Sequence, residues 1–206
     1  MRYYIADCHF GDDKVRKLDG RPFADAEEMD ACMIERWNQV VKKRKDEVVI
    51  LGDLSSLKGE RTNELLRQLN GKKYLITGNH DRYYLRDKQF DETLFEWVKP
   101  YAELHDNNRK VVLSHYPMIC YHGQYAGKIT YMLYGHVHNT MDSTNVERFV
   151  RETRETVYGE EKKPIACNLI NCFTMFSDYT PWSLDQWIAW QAAKKDGLKK
   201  EGILSL

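Results

Sequence analysis

The sequence lacks the features that mark secreted and membrane-spanning proteins. Its five cysteines are an odd number without a C-x-x-C pair, which disfavours a disulfide framework or a zinc site built from thiolates. No run approaches about 18 uninterrupted apolar residues, and Asp7 and His9 interrupt the amino terminus too early for a signal peptide. We therefore expect a cytoplasmic protein with no membrane partner.

The sequence also lacks net charge. Lys+Arg and Asp+Glu both number 31, which gives a formal charge of zero with histidine neutral. A balanced surface produces no broad positive field, so strong binding to duplex nucleic acid is not expected, and an anionic partner would need a local site. At 206 residues the chain has the length of one ordinary domain, and we expect residues 1–206 to form a single domain.

Short apolar runs recur along the chain, and their length and β-branched content predict strands. These runs are residues 2–6, 47–51, 73–77, 110–114, 130–134 and 164–171. Helical spacing predicts helices at 25–45, with Asp25 as the cap, around 65–69, at 93–98, and after a Ser183-x-x-Gln186 capping box. Residues 140–163 are polar and predict an exposed helix or insertion. The alternation of strands and helices predicts an α/β layered domain.

Polar clusters follow five of these runs. In chain order they are D-x-H (Asp7, His9), G-D (Gly52, Asp53), G-N-H-D (Gly78 to Asp81), His115, and G-H-x-H (His136, His138). Taken singly, each is consistent with a turn or with a hydrogen-bonded histidine. Ligands of α/β sheets bind outside the carboxyl ends of the strands, so we expect the five clusters to converge there. On an extended backbone, Asp7 and His9 would point to one side and Cys8 to the other.

The ordered set of motifs resembles the calcineurin-like metallophosphoesterase superfamily. The segments DCHFG, RPF, WNQVV, LNGKKYLITGNHD, LSHYPM and DYTPWSLDQ are similar to its small bacterial and phage members, over most of the chain except residues 140–163. The V-D-R-G continuation of serine/threonine protein phosphatases is missing after Asp53, which disfavours that branch. The resemblance implies the metallophosphoesterase fold, a layered sandwich of two mixed β-sheets flanked by helices.

The resemblance also implies a role for each motif residue, in a centre that binds two divalent metal ions. One ion would be bound by Asp7, His9 and His138, the other by Asn79, His115 and His136, and Asp53 would bridge both. His80 would be catalytic at the leaving oxygen, and Asp81 would orient its ring. Imidazole, carboxylate and amide ligands without sulfur suit manganese, iron, cobalt or zinc, with manganese the preferred ion in vitro.

The implied activity is hydrolysis of a phosphodiester or phosphomonoester, with nucleotides among the candidate substrates, by in-line attack of a hydroxide that bridges the metals. Two alternatives stay open. One is a non-catalytic protein-binding scaffold on the same fold, and the other is a structural domain with a single metal. Aromatic residues near the motifs either pack in the core or at the rim of the pocket, which is favoured, or stack a nucleobase. These are Phe10, Tyr83, Tyr84, Tyr116, Tyr121 and Tyr125. The oligomeric state is left open.

Overall fold

Each predicted apolar run contains a strand in the structure, a computed structural model that describes residues 1–126, 129–158 and 163–200. The strands are β1 (Arg2–Ile5), β2 (Glu47–Ile50), β3 (Lys72–Ile76), β4 (Trp97–Lys99), β5 (Tyr101–Asp106), β6 (Arg109–Ser114), β7 (Thr130–Tyr134), β8 (Val157–Tyr158), β9 (Lys163–Pro164) and β10 (Leu169–Asn171). The helices are α1 (Asp13–Leu18), α2 (Ala26–Val40), α3 (Gly59–Gln68), α4 (Arg82–Leu85), α5 (Met141–Glu155) and α6 (Leu184–Lys200).

Eight of these strands form two four-stranded sheets. The first has the order β1-β2-β3-β4, and its three pairings are all parallel. The second has the order β10-β7-β6-β5 and is antiparallel only between β5 and β6. The predicted layered sandwich with flanking helices is confirmed, with one correction: only the second sheet is mixed. The first is parallel because a helical crossover separates each pair of its consecutive strands.

Neighbouring residues of one strand face different layers of the core. Val48 of β2 packs in the layer formed with α2 and α3, whereas Val49 faces the second sheet. Val111 of β6 shares that inter-sheet layer with Trp187 of α6, and Val112 lies in the outer layer with α5. Because these strands are buried on both faces, their sequences are apolar throughout instead of alternating.

Two predicted helices are confirmed together with their amino-terminal caps. The Asp25 side chain accepts a hydrogen bond from the Glu28 N–H and begins α2, which ends at Val40, short of the predicted residue 45. At α6, the Ser183 N–H donates to Gln186 Oε1 at 2.9 Å, and the Gln186 N–H donates to Ser183 Oγ at 3.4 Å. This reciprocal pair is the capping box that the sequence predicts.

The helix predicted at residues 93–98 is wrong. A 3₁₀ turn at Glu92–Leu94 precedes β4, which forms the edge of the first sheet. The Glu96 N–H donates to the Lys73 carbonyl at 2.8 Å. Pairing with the free edge of β3 therefore stabilises a strand here, in spite of the helical spacing of the apolar residues. Helix α1 and strand β5 were not predicted. Helix α5 confirms the exposed helix in the 140–163 region, of which residues 159–162 lie outside the described residues.

All five cysteines are free. Cys8, Cys167 and Cys172 are buried and act as small apolar core residues. Among the described residues, no helix combines the length and the apolar character needed to cross a bilayer.

Candidate metal centre

Five strand ends bring the motif residues to one edge of the sandwich. Strands β1, β2, β3, β6 and β7 each run directly into one of the five polar clusters. The main chains of these clusters are joined: the Asp7 N–H donates to the Gly52 carbonyl at 3.0 Å, and the Gly135 N–H donates to the His115 carbonyl at 2.9 Å. The convergence expected from the sequence is therefore present in the fold.

Five motif residues have a left-handed backbone, with φ values between 45° and 71°. These residues are Asp7, His9, Asp53, His136 and His138. The conformation costs an L-residue about 1–2 kcal/mol, so the surrounding contacts must impose it. It also corrects the expectation of an extended D-x-H segment, because β1 ends at Ile5 and the chain then turns. Cys8 is buried in the core layer that packs against α2 and α3.

Three glycines leave room for the polar side chains. A Cβ atom at Gly52 would lie 2.3 Å from His115 Nδ1, and one at Gly78 would lie 2.2 Å from Asp53 Oδ1. A Cβ atom at Gly135 would lie 2.6 Å from an oxygen of Asp7. The G-D, G-N-H-D and G-H-x-H motifs therefore need glycine for close packing as well as for turning.

Asp7, His9 and His138 form the first ligand group. One donor atom from each lies within 4.8 Å of the others. The Nε2 atoms of His9 and His138 are 3.3 Å apart, and His138 Nε2 is 3.7 Å from Asp7 Oδ1. Asp7 and His9 are buried, and the His136 main-chain N–H donates to both Asp7 oxygens at 2.9 and 3.1 Å.

Asp53, His115 and His136 form the second ligand group, whose donor atoms also lie within 4.8 Å of one another. His115 Nε2 is 3.4 Å from Asp53 Oδ2 and 3.1 Å from Asn79 Oδ1, so the Asn79 amide belongs to the same cluster. His115 is buried, whereas His136 is exposed. This group is therefore the part of the centre that opens to solvent.

Asp53 lies between the two groups. Its Oδ2 atom is 3.7 Å from His9 Nε2 in the first ligand group and 3.4 Å from His115 Nε2 in the second. Its Oδ1 atom accepts the His80 main-chain N–H at 2.7 Å, which fixes the carboxylate. One oxygen can thus reach donors on both sides, the position that a bridging carboxylate requires.

Burial and neighbouring charge shift the pKa values of the donors strongly. Burial raises the pKa of Asp7 to about 6 and lowers the pKa of His9 to about 3. Burial opposes ionisation of Asp53 and His115, but their mutual hydrogen bond and attraction outweigh it. This hydrogen bond and this attraction lower the pKa of Asp53 to about 2. Together with the charge of Asp7, they raise the pKa of His115 to about 9. A positive charge is therefore favoured beside Asp53 in the second ligand group, whereas burial dominates at Asp7 and His9.

The hydrogen bonds of His115 test whether a cation fits. The Leu51 carbonyl can only accept, so His115 Nδ1, 2.8 Å away, carries the hydrogen. In the neutral ring, Nε2 then presents a lone pair to two oxygens, those of Asn79 and Asp53. Three acceptors that face one another are stabilised only by a proton or a metal ion between them. The residues of the second ligand group therefore fit a divalent cation.

The first ligand group passes the same test. Asp19 Oδ1 lies 2.7 Å from His138 Nδ1 and fixes the hydrogen there, so the lone pair of Nε2 faces His9 and Asp7. Burial opposes ionisation of Asp19. The hydrogen bond to His138 and the charges of His138 and Arg21 outweigh burial and lower the pKa of Asp19, which keeps this carboxylate ionised. Sequence reasoning missed Asp19 and Arg21, although the RPF segment that contains Arg21 was among the resembling stretches.

His80 lies beside the first ligand group, with its ring centroid 5.0 Å from that of His9. The expectation that Asp81 orients this ring is corrected. The buried Asp81 carboxylate accepts four hydrogen bonds at 2.7–2.9 Å, none of them from the His80 ring; the donors are the N–H groups of Asp53, Leu54 and Gly78 and the Tyr84 hydroxyl. Through these hydrogen bonds, Asp81 joins the Asp53 segment to the segment that contains His80.

The aromatic residues near the motifs divide between the core and the surface. Phe10, Tyr84 and Tyr121 are buried, in line with the favoured interpretation of core packing. Tyr83 and Tyr116 are 56% and 48% exposed, and Tyr125 is also exposed. The Tyr116 ring lies 4.5 Å from the His136 ring, and the Tyr83 ring lies 6.0 Å from the His80 ring. Two exposed tyrosines therefore border the centre.

Comparisons with known proteins agree with this geometry. Residues 3–162 match the sequence model of the calcineurin-like phosphoesterase family. The uncharacterized protein MJ1445 of Methanocaldococcus jannaschii is 31% identical over 175 residues, which cover 82% of this chain and 88% of that protein.

A solved structure shares this fold. AQ665 of Aquifex aeolicus, a protein of unknown function, aligns with a TM-score of 0.62 at 22% identity, covering 90% of this chain and 96% of that chain. A Vps29 variant from Entamoeba histolytica aligns more loosely, with a TM-score of 0.34 at 17% identity, over 67% of this chain and 64% of that chain. The family match spans all five motifs and both ligand groups, and the chain belongs to the calcineurin-like phosphoesterase family.

Proposed function

We propose that the protein, as a single domain, is a binuclear metal-dependent phosphoesterase that hydrolyses a phosphodiester or phosphomonoester. The observation that carries the proposal is the position of Asp53 Oδ2, within 3.7 Å of a histidine nitrogen in each ligand group. Asp7, His9 and His138 would hold one divalent transition-metal ion, and Asn79, His115 and His136 a second. The donor set suits manganese, iron, cobalt or zinc.

The charge balance explains why such a site would bind a phosphate on a protein with no net charge. Asp7 and Asp53 supply two negative charges, and the other proposed ligands are neutral when they bind a cation. Two divalent cations would leave an excess of about two positive charges and would supply an acidified water. The exposed side of the centre, at His136, is where a phosphate could enter.

His80 is proposed to act on the leaving group. Its main-chain N–H is held by Asp53 Oδ1 at 2.7 Å, and its ring makes an edge contact with the ring of His9, with centroids 5.0 Å apart. In-line attack of water on phosphorus breaks the bond to the leaving oxygen on the opposite side. The His80 imidazolium would donate its proton to that oxygen. Asp81 contributes by fixing the Asp53 and His80 segments, as a positioning residue.

The substrate is proposed to be a phosphate ester, with nucleotides included. The exposed rings of Tyr83 and Tyr116, on the two sides of the centre, support an aromatic leaving group or base because either ring could stack on one. A panel of cyclic nucleotides, dinucleotides, nucleotide sugars and phosphomonoesters, each assayed with manganese, would rank these classes.

Hydrolysis of a chromogenic bis-aryl phosphate tests the proposal directly. The purified protein with added Mn²⁺ should release the aryl alcohol, and Asp53→Ala and His80→Ala should each reduce the rate by more than about 100-fold, the upper range seen for residues that only support a metal ligand. Metal content separates the two losses: Asp53→Ala should lose bound Mn²⁺, and His80→Ala should retain it.

Equal activity in all three proteins would refute the proposal. A protein that binds two ions, cleaves no ester in the panel and purifies with a fixed partner would instead be the scaffold alternative. One ion per chain, with unfolding on chelation, would identify a structural metal domain.

A further inference from the structure

Asp19 and Arg21 lie between α1 and α2, outside every motif assigned above. Their side chains are 7% and 0% exposed. Asp19 Oδ2 accepts from Arg21 Nε and Nη2 at 3.0 and 2.9 Å, while Asp19 Oδ1 is 2.7 Å from His138 Nδ1. A buried carboxylate is thus divided between a guanidinium and a proposed metal ligand. Burying such a pair opposes folding unless its hydrogen bonds are well made, as they are here.

Arg21 also holds the main chain of the first ligand group. Its Nη2 donates to the Asp7 carbonyl at 3.0 Å, and its Nη1 donates to the Cys8 carbonyl at 2.7 Å. These two carbonyls belong to the turn in which Asp7 and His9 have left-handed backbones. A planar guanidinium can satisfy two carbonyls and a carboxylate together, which a lysine ammonium does less well.

Phe173 completes the support of His138. The two rings stack with centroids 4.7 Å apart and planes at 24°, and the Arg21 guanidinium carbon lies 5.8 Å from the Phe173 centroid. The His138 carbonyl accepts from Asn171 Nδ2 at 2.9 Å. The ring is therefore held at one nitrogen and on one face, and its main chain is held separately.

Among the described residues, no carboxylate contacts the Nδ1 atom of either histidine in the second ligand group. His115 Nδ1 donates to the Leu51 carbonyl, which is uncharged. His136 is exposed, and in the described part of the chain its ring nitrogens have no hydrogen-bond partner; its ring makes only edge contacts, with Tyr116 and His115. The two groups thus present similar donors with unequal preorganisation.

We propose that Asp19 and Arg21 are positioning residues that make the first ligand group the tighter of the two divalent-cation positions. An anionic partner on Nδ1 fixes the tautomer and the orientation of a ligand histidine and raises its basicity, which typically strengthens metal binding about 10–100-fold. The inference rests on the proposed function only in requiring that the centre binds cations, and it does not require hydrolysis.

Titration of the cation-free protein with Mn²⁺, followed by calorimetry and by electron paramagnetic resonance, tests the inference. The unsubstituted protein should bind two ions in unequal steps. Asp19→Asn removes the charge but can still accept the hydrogen bond, and it should weaken the tighter step about 10–100-fold while changing the weaker step less. Arg21→Lys should weaken the same step.

Asp13→Asn is the matched control. Asp13 lies on α1 and pairs at the surface with Arg16 and Lys17, so its substitution changes the net charge equally without touching a ligand. It should leave both binding steps unchanged. Asp19→Glu restores the carboxylate and should recover part of the lost affinity, which a merely structural role would not predict.

Several outcomes would overturn the inference. These are two equal binding steps in the unsubstituted protein, an unchanged tighter step in folded Asp19→Asn, or equal loss in Asp19→Asn and Asp13→Asn. Thermal unfolding without cations establishes that each variant is folded. If Asp19→Asn does not fold, Arg21→Lys takes its place, and a folded Arg21→Lys protein with an unchanged tighter step would overturn the inference. Unequal binding with no hydrolysis of any ester would support this inference and reject the proposed activity.

Discussion

The first ligand group is buried except at the half-buried His138 and is held on several sides, whereas the second opens to solvent at His136. Both contain a carboxylate and two imidazoles, and the second also includes the Asn79 amide. They differ in their surroundings: Asp19 and Phe173 contact His138, while the exposed Tyr116 ring contacts His136. The first group is thus the more closely packed half of the centre, and the second is the half that faces solvent.

Truncating the aromatic residue beside each ligand group should change the free energy of unfolding by very different amounts. Phe173 is fully buried against His138, so Phe173→Ala should lower the free energy of unfolding by about 3–5 kcal/mol. Tyr116 is half exposed beside His136, so Tyr116→Ala should lower it by less than about 1 kcal/mol. Urea unfolding of the cation-free proteins measures both. Similar losses would remove the distinction between a buried and an open half.

Two glycine substitutions disturb one group each. Gly135→Ala would place a Cβ 2.6 Å from Asp7 Oδ2, and Gly52→Ala would place one 2.3 Å from His115 Nδ1. Gly135→Ala should weaken the tighter Mn²⁺ step and Gly52→Ala the weaker step, each at least about 10-fold, because a ligand must move. Calorimetric titration resolves the two steps.

Gly123→Ala provides the control for these glycines. Gly123 has a φ of +82°, close to the +88° of Gly52, but its nearest neighbour would be Thr130 Oγ1 at 3.0 Å, outside both ligand groups. It should destabilise the protein by about 1–2 kcal/mol through backbone strain alone and leave Mn²⁺ binding intact. Loss of binding in Gly123→Ala would show that strain, and not ligand displacement, explains the effect.

The smallest expected effect concerns Asp30, whose Oδ1 accepts the Gly11 N–H at 2.9 Å just beyond His9. Burial raises the pKa of Asp30 to about 6 in the folded protein, from 3.8. The ionised carboxylate therefore opposes folding above pH 6, and below about pH 4 both states are protonated and the penalty disappears. Asp30→Asn keeps the acceptor and should raise stability at pH 8 by about 1–2 kcal/mol after allowance for partial exposure.

Chemical unfolding at pH 8 and at pH 4 checks this prediction. The gain from Asp30→Asn should be present at the higher pH and absent at the lower one. A gain of equal size at both values would mean that the charge of Asp30 is not its cause, and that burial beside the first ligand group does not disfavour this carboxylate.

Strand positions and helix caps could be predicted because they depend on local sequence. The apolar runs at Arg2–Ile5 and Glu47–Ile50 are strands, and Asp25 begins α2 as expected. The helix predicted at 93–98 is wrong because the conformation of this segment depends on its pairing with β3, which lies about twenty residues earlier in the chain. Edge pairing leaves little trace in the spacing of a short segment.

For the candidate site, too, one part could be predicted from the sequence and another could not. Residue types and their order indicated which side chains converge, because parallel strands deliver their carboxyl ends to one edge. The partners of those side chains could not be inferred. Asp19 lies 119 positions from His138, and Asp81, adjacent to His80, hydrogen-bonds the Asp53 segment instead of the His80 ring.

The apolar runs and the order of the polar motifs predict the layered α/β fold and the side chains that meet at one edge, since hydrophobic periodicity and residue type are properties of short segments. The same patterns do not predict the left-handed turns at Asp7 and His138, the place of Asp53 between the groups, or the support of His138 by Asp19. These features arise from contacts between segments far apart in the chain, and such contacts exist only once the two sheets have packed.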